Sequence, residues 1–350
     1  MAAPSHTLVL VTGGSGFVST HCIVRLLNAG YKVRATLRSL TKQTLVHSML
    51  RNGGISEDLL QHLSFATADL TDDAGWTEAV SGCSYILHVA SPVPSKRPKN
   101  KLDVIIPARE GTLRVLRAAR SVGVKRVVLT SSFTAIAYGH PEQDQPFNEE
   151  YWTNLAGDDI TAYTESKTLA ERAAWEFVAS EEGQGLEMAA INPVGIFGPV
   201  LGSDCPTSVL ILQRMLEGRI PAMPQIRLGV VDVRDVAELH FLAMTKPQAV
   251  GHRFLAASPP TVTLEEISRL LKERIPEARS KTPSRVLPNI VFRILGYFNS
   301  DVAQVLPELG RRREMTIEKA RKVLGWAPRR WDNAIIASAE SLLKFGSIKE

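Results

Sequence analysis

The sequence predicts an α/β fold in which helices cover both faces of a doubly wound parallel sheet. Through the first half of the 350-residue chain, short apolar runs alternate with amphipathic stretches of helical length. This alternation is typical of a parallel sheet wrapped by helices. A glycine-rich segment also separates the first apolar run from the first helical pattern. Beyond residue 193 the alternation weakens, so we expect a smaller second domain there.

Apolar runs bounded by turn residues predict six strands, at 7–11, 31–37, 63–67, 85–89, 126–130 and 187–191. Helices are predicted at 18–27, at 107–121 and from Tyr163 to about Ser180. Gly30 is expected to end the first of them. In an open sheet of this kind, ligands bind beyond the carboxyl ends of the strands. Side chains that directly follow a strand are therefore the first candidates for a site.

The second domain is predicted to be discontinuous. Residues 230–253 return to the apolar pattern of the first half. We therefore expect a nucleotide-binding domain of residues 1–193 plus about 229–257. The segments at about 194–228 plus 258–350 are richer in proline and helical pattern, and we assign them to a substrate-binding domain.

Composition excludes several classes of protein. Hydrophobic residues make up 44% of the chain and charged residues 22%, as in ordinary globular domains. The net charge of +5 is small, and without interleaved aromatic and basic residues it gives no reason to expect nucleic acid as a partner. The three cysteines have no paired spacing, so neither disulfides nor a metal site is expected. The absence of a signal peptide or long apolar span predicts a cytoplasmic protein without a membrane segment.

The glycine-rich segment predicts a Rossmann-type dinucleotide site. Gly13 would allow a tight turn, and Gly16 would let the backbone approach a pyrophosphate at the helix N-terminus. Ser19 stands where a third glycine often lies and is small enough for close packing of helix on strand. The predicted contacts in this segment are Thr12, Gly13, Ser15, Gly16, Phe17 and Val18.

The second strand indicates which dinucleotide binds. NAD sites usually place an acidic residue ~20 positions on, where it binds the ribose hydroxyls. No Asp or Glu occurs in residues 1–56, and Arg38 and Lys42 follow the strand instead. A guanidinium can bind a 2′-phosphate through two parallel hydrogen bonds. We therefore predict NADPH rather than NADH. Arg34, in the middle of the strand, fits an ordinary solvated cation better.

Two serines, a tyrosine and a lysine predict carbonyl chemistry. Ser131 and Ser132 follow the fifth strand, and Tyr163 and Lys167 lie four residues apart on a predicted helix. Residues at i and i+4 share a helix face, so the ammonium would lower the pKa of the phenol towards working pH. Taken alone, strand-end serines also serve as caps and a helical tyrosine usually packs. Their combination with the glycine turn favours the catalytic interpretation.

Motifs along nearly the whole chain resemble those of one family. They are V-T-G-G-S-G-F-V, V-R-A-T-L-R, H-V-A-S-P, P-A-R-E-G-T, R-V-V-L-T-S-S, Y-T-E-S-K, I-N-P-V-G-I-F-G-P, D-V-R-D-V-A and V-L-G-W-A-P. The chain resembles an extended short-chain dehydrogenase/reductase. Its branch holds dihydroflavonol reductases, cinnamoyl-CoA reductases and microbial NADPH-dependent aldehyde and ketone reductases.

The resemblance implies roles for particular residues. Ser132, Tyr163 and Lys167 would form the catalytic set, with Tyr163 as general acid and Lys167 also binding the nicotinamide ribose. Further cofactor contacts are implied at Val89, Ala90, Ser91, Thr130, Pro193, Val194 and Ser208. Asp69 and Leu70, which follow the third strand, are candidates for the adenine edge.

Two departures from the motifs of this branch narrow the range of expected substrates. Cinnamoyl-CoA reductases resemble one another in N-W-Y-C-Y around the tyrosine, whereas residues 160–164 read I-T-A-Y-T. Dihydroflavonol reductases carry Asn five residues after the catalytic serine, and Ala137 stands there. The sequence is therefore more similar to the microbial, methylglyoxal reductase-like enzymes. Phe133, Phe197 and Met223 either line an apolar pocket or belong to the core.

The sequence thus predicts an NADPH-dependent carbonyl reductase that reduces an aldehyde, ketone or diketone, as a monomer or homodimer. An NAD(P)-dependent epimerase or dehydratase of the same fold is the alternative. A dinucleotide-sensing regulatory protein is a third possibility, which the intact Tyr163 disfavours. Two basic stretches, the loop at 92–101 and the run at 311–313, are interpreted as solvated.

Overall fold

The predicted fold class is confirmed. The structure is a computed structural model that describes residues 4–92 and 100–346, so most of the basic loop at 92–101 lies outside the described residues. A seven-stranded parallel sheet has the strand order β10-β6-β5-β4-β1-β2-β3. The chain leaves β1 towards β2 and β3, and it then returns to place β4 on the other side of β1. Helices cover both faces of the sheet, as in a doubly wound fold.

The described residues form eleven strands. They are β1 (Leu8–Val11), β2 (Lys32–Leu37), β3 (Leu63–Thr67), β4 (Tyr85–His88), β5 (Arg126–Thr130), β6 (Glu187–Pro193), β7 (Gly195–Phe197), β8 (Arg227–Leu228), β9 (Val230–Asp232), β10 (Arg253–Ala256) and β11 (Val262–Thr263). All six predicted strands are present, each within two residues at either end. β10 is a seventh strand of the main sheet and pairs with β6.

The same residues form thirteen α-helices. They are α1 (Phe17–Asn28), α2 (Gln43–Asn52), α3 (Glu57–Leu60), α4 (Trp76–Val80), α5 (Leu102–Ser121), α6 (Ala162–Ala179), α7 (Leu210–Leu216), α8 (Val233–Thr245), α9 (Leu264–Arg274), α10 (Asn289–Leu295), α11 (Ser300–Val305), α12 (Glu318–Leu324) and α13 (Trp331–Lys344). None of these described helices is long and apolar enough to cross a membrane.

Helix α5 begins earlier than predicted. The prediction started it at Pro107, since proline is best tolerated in the first turn of a helix. The structure starts it at Leu102, whose amide donates to Asn100 Oδ1 at 3.0 Å. Pro107 therefore lies inside the helix, where it removes one backbone hydrogen bond.

The sheet is buried on both faces, which explains why its strands read as continuous apolar runs. Neighbouring residues of one strand enter different cores. Val9 and Val11 pack with α1 and α8 in one cluster, whereas Leu10 packs on the opposite face with residues of α5 and α6. On the first face, the Arg25 guanidinium of α1 lies 3.6 Å from the centre of the Phe241 ring of α8.

A separate core supports the proposed division into two domains. Its members include Phe197, Leu212, Met223 and Ile335, all from beyond residue 193. Residues 315–326, however, pack into the core of the main sheet, where Trp326 Nε1 donates to the Asp235 carbonyl of α8 at 2.9 Å. The segment around α12 therefore joins the C-terminal part of the chain to the main sheet.

Candidate functional site

The glycine-rich turn is held against the neighbouring strand β2. The amides of Gly13 and Gly14 donate to Thr36 Oγ1 at 2.9 Å and to the Thr36 carbonyl at 2.8 Å. Gly13 has a φ of +69°, which favours glycine. A Cβ on Gly14 would lie 2.7 Å from Ala35 Cβ, so β2 leaves no room for a larger residue.

Thr12 joins the glycine turn to β4, at the point where the strand order reverses. Its hydroxyl accepts from the amides of Val89 and Ala90 at 3.0 and 2.9 Å. Ser19, at the third glycine position, is buried and donates to the Thr12 carbonyl at 3.0 Å. The serine therefore packs as closely as predicted and also fastens the helix to the turn.

The N-terminus of α1 is open to an anion. Gly16 is its N-cap and makes no side-chain capping bond, and the first turn holds no acidic residue. Free amides and the helix dipole together favour a phosphate group at such an end. Phe17 and Val18, the first helical residues, are half-buried beside it. The residues present thus fit a pyrophosphate.

The basic residues in and just after β2 have two different environments. Arg38 is exposed just beyond the strand, two residues after Thr36, and Lys42 is exposed in the following turn. Within the described ranges neither forms an ion pair. Arg34 instead donates to the carbonyls of Glu78, Ala79 and Ser81 at 2.7–3.0 Å, which caps α4. Arg34 is therefore structural rather than simply solvated, whereas Arg38 remains available to a ligand.

The candidates for the adenine edge are partly engaged by the protein. Asp69 Oδ1 accepts from the amide and hydroxyl of Thr71 at 2.9 and 2.8 Å, which lowers the pKa of Asp69, and Arg38 contributes to the lowering. Leu70 packs against Gly111 of α5, where an added Cβ would approach Leu70 Cβ to 2.9 Å. Both residues are half-buried at the strand edge.

The two serines after β5 have different environments. Ser131 Oγ donates to Glu171 at 2.5 Å inside the protein. Ser132 caps a short 3-10 helix, and its Oγ accepts from the Thr134 amide at 3.1 Å. The carbonyl of Ser132 accepts from Asn192 Nδ2 at 3.1 Å. Since Ser131 is bonded away in the interior, Ser132 is the serine that interacts with Tyr163.

Tyr163 lies in the first turn of α6, where Thr161 forms the N-cap. About 40% of the residue is exposed. Its pKa is nevertheless raised, because desolvation of the phenol outweighs the lowering by the hydrogen bond with Ser132. The net shift is therefore opposite to the lowering predicted from Lys167, and it favours the protonated phenol.

Lys167 is buried one turn further along α6. Its Nζ donates to the Thr130 carbonyl at 3.4 Å. Desolvation lowers the pKa of Lys167 to about 8, although the charge of Glu171 opposes this effect. The same ammonium and burial lower the pKa of His88 on β4 to about 3, so this histidine is neutral.

One cleft brings several predicted residues together. Its wall includes Ala90 and Ser91 after β4, Thr130 at the end of β5, and Lys167 on α6. The Thr130 hydroxyl is hydrogen-bonded to His240 Nε2 at 2.7 Å. Thr130 therefore contacts Lys167 through its backbone carbonyl.

The remaining predicted cofactor contacts lie at the end of β6 and beyond. Pro193 is buried at the end of that strand, and the Val194 amide donates to the Ala256 carbonyl at 3.1 Å. Ser208 lies just before α7, where its hydroxyl donates to the Ile196 carbonyl at 2.5 Å. The hydroxyl hydrogen of Ser208 is therefore directed at the protein backbone.

The three substrate candidates lie in the hydrophobic core. Phe133 is 7% exposed, Phe197 2% and Met223 1%. Phe133 packs edge-on against Phe147, with ring centres 6.3 Å apart. Because these side chains offer almost no surface to a ligand, the core alternative explains them and we do not carry them into the proposed site.

Two arginines contradict expectations from local sequence. The run 311–313 was predicted to be solvated, yet Arg313 donates to Asp159 at 2.5 Å and to Glu308 at 2.6 Å. Arg253 on β10 forms a buried ion pair with Glu171, which the local sequence does not predict. Glu171 follows Lys167 by four residues on the same helix face, which is the signal that could have identified it.

Comparisons with known proteins agree with this geometry. The model of the NAD dependent epimerase/dehydratase family matches residues 9–257. Cinnamoyl-CoA reductase CAD2 of Medicago truncatula is 34% identical over 274 residues, covering 77% of this chain and 81% of the relative. The NADPH-dependent methylglyoxal reductase GRE2 of Saccharomyces cerevisiae is 31% identical over 296 residues, covering 79% of this chain and 84% of the relative. Identity alone therefore does not separate plant from microbial relatives.

Solved structures show the same fold over almost the whole chain. Yeast methylglyoxal/isovaleraldehyde reductase Gre2, complexed with NADPH, has a TM-score of 0.79 at 26% identity, covering 98% of this chain and 100% of that chain. Vestitone reductase of Medicago sativa has a TM-score of 0.73 at 25% identity, covering 97% and 99%. The predicted resemblance is confirmed. The chain belongs to the NAD dependent epimerase/dehydratase family, among the extended short-chain dehydrogenases/reductases.

Proposed function

We propose that this protein is an NADPH-dependent oxidoreductase that reduces the carbonyl group of an aldehyde, ketone or diketone to an alcohol. The observation that carries the proposal is the carboxyl edge of the sheet. There the glycine turn packs against Ala90, Ala90 and Lys167 line one cleft, and Ser132 hydrogen-bonds Tyr163. Relatives named as NADPH-dependent methylglyoxal reductase and cinnamoyl-CoA reductase support it.

The residues of this edge fit NADPH. The uncapped N-terminus of α1 would hold the pyrophosphate, and Arg38 with Lys42 would bind the 2′-phosphate. Lys167 would donate to the nicotinamide ribose hydroxyls. Ala90, Ser91 and Val194 would lie along the cofactor. When bound, reduced nicotinamide supplies a hydride to the carbonyl carbon.

The protein's own groups would act on the carbonyl oxygen. Desolvation raises the pKa of Tyr163 and favours the protonated phenol, so Tyr163 can donate a proton as negative charge develops on that oxygen. The Ser132 hydroxyl would donate a hydrogen bond to the same oxygen, which stabilises the developing charge. Lys167 would assist through its ammonium, which is the main form at neutral pH and is lost as pH rises through its pKa of about 8.

The proposal is tested by following NADPH oxidation with purified protein over aldehydes, aryl ketones, diketones and sugar nucleotides. We expect turnover with at least one carbonyl class and slower turnover with NADH. Conversion of a sugar nucleotide without net NADPH oxidation would favour an epimerase or dehydratase instead. No turnover with any carbonyl would sink the reductase proposal.

Replacing Arg38 tests the choice of dinucleotide. We expect Arg38→Ala to weaken NADPH binding roughly 10–100-fold, since hydrogen bonds to charged groups contribute about 1.5–3 kcal/mol. NADH binding should change little because NADH lacks the 2′-phosphate. Dissociation constants from nicotinamide fluorescence would check this. Lys32→Ala, which removes an exposed cation from the same strand, is the matched control. Equal weakening of both cofactors would contradict the assignment of Arg38.

A further inference from the structure

A buried carboxylate connects the proposed catalytic residues. Glu171 is 1% exposed and lies on α6, one turn beyond Lys167. One oxygen accepts from Ser131 Oγ at 2.5 Å and from Asn192 Nδ2 at 2.7 Å. The other accepts from Arg253 Nε at 2.6 Å and from Trp175 Nε1 at 3.2 Å. Four donors thus satisfy this side chain, and they come from three different elements as well as its own helix.

Arg253 extends these contacts to the segment before α6. Its Nη1 donates to the carbonyls of Glu149 and Tyr151 at 3.1 and 2.7 Å, and its guanidinium lies 3.8 Å from the centre of the Trp152 ring. A buried ion pair seldom adds net stability over apolar residues of similar size. A fully bonded pair such as Glu171–Arg253 does fix the relative positions of the backbones it joins.

The backbones joined here are those that carry the reaction in the proposed function. Asn192 uses one amide group to hold both Glu171 and the Ser132 carbonyl, at 2.7 and 3.1 Å. Lys167, on the same face of α6, reaches the carbonyl of Thr130 two residues before Ser132. Resting on that function, we propose that Glu171 is a positioning residue for carbonyl reduction, which fixes the Ser131–Ser132 corner relative to Lys167 and Tyr163.

The charges around Lys167 give this proposal a distinctive readout. The titratable groups that face Lys167 are Tyr163 and Glu171 on its own helix and His88 on β4, which is neutral. Across the cleft, α5 contributes Ala108 and Thr112, which carry no charge. Glu171 is therefore the group that favours the ammonium against desolvation, and its removal should shift the pH at which Lys167 loses its proton.

The test is Glu171→Gln, a substitution that keeps the shape and removes the charge. In the wild type, NADPH binding should weaken as pH rises through about 8, where Lys167 deprotonates. In the variant this midpoint should fall, so that the dissociation constant at pH 8 rises roughly fivefold for a decrease of about one pKa unit. At pH 6 NADPH should bind nearly as in the wild type. The value of kcat should still fall roughly tenfold or more with little change in KM, because misplacement of reacting groups slows the chemical step.

Two further variants keep the test decisive. Glu176→Gln alters an exposed carboxylate on the same helix and should match the wild type. Glu171→Gln/Arg253→Gln removes both buried charges, for use if the single variant unfolds. Its midpoint should also fall, though by less than in Glu171→Gln, because the paired Arg253 cation is removed as well. A wild-type midpoint together with a wild-type kcat in Glu171→Gln would overturn the proposal, as would failure of both variants to fold. A wild type that reduces no carbonyl would overturn the proposed function, while the pH dependence of NADPH binding would still report on Glu171.

Discussion

Tyr163→Phe is expected to lower kcat by about 10²–10⁴-fold, the usual contribution of a well-placed general acid. The substitution removes one oxygen and keeps the ring, so the first turn of α6 and its Thr161 cap should remain intact. NADPH binding should stay within about threefold of the wild type, since Arg38 and the glycine turn are untouched. Single-turnover measurements with saturating NADPH would separate the chemical step from binding.

A matched control is available for this substitution. Tyr297 is 88% exposed and lies outside the proposed site, so Tyr297→Phe should leave kcat unchanged. If Tyr163→Phe kept a tenth or more of the wild-type kcat, proton donation by Tyr163 would be wrong. Loss of NADPH binding in that variant would instead indicate a role in holding the cofactor.

Much of the fold could be predicted because its signals are local. A strand buried on both faces is mostly apolar along its length, so a run such as 126–130 can be recognised as a strand from the sequence. The glycine turn is similarly local, since Gly14 must fit against Ala35 and Gly13 needs a positive φ. Ser132, Tyr163 and Lys167 could be predicted together because the carboxyl ends of parallel strands meet at one edge.

The supporting charges could not be predicted in the same way. Glu171 meets Arg253 across 82 positions, and no local pattern records such a pairing. The raised pKa of Tyr163 reflects desolvation by the folded chain, whereas the spacing of Tyr163 and Lys167 indicates only their mutual attraction. Phe197 and Met223 illustrate the same limit, because an apolar residue in a sequence can equally line a pocket or belong to the core.

Arg313 also forms a contact between residues that are far apart in the sequence. Its replacement should have the largest effect on stability. It pairs with Asp159 across 154 positions, and Asp159 Oδ1 also accepts from the Gly139 amide at 2.7 Å. The guanidinium lies 4.0 Å from the centre of the Tyr138 ring. The C-terminal part of the chain is thereby fastened to the segment that connects Ser132 with α6.

We expect Arg313→Ala to lower the free energy of unfolding by about 3–5 kcal/mol, because it leaves the buried Asp159 carboxylate without its main counter-charge. Arg312→Ala is the control within the same run. Arg312 is exposed and forms no ion pair among the described residues, so its loss should change the free energy by less than about 0.5 kcal/mol. Urea unfolding followed by tryptophan fluorescence measures both variants. If the two variants were equally stable, the whole run would behave as the solvated surface that its sequence suggests. A loss of stability confined to Arg313→Ala would show that Arg313 joins the segment between Ser132 and α6 to the C-terminal part of the chain.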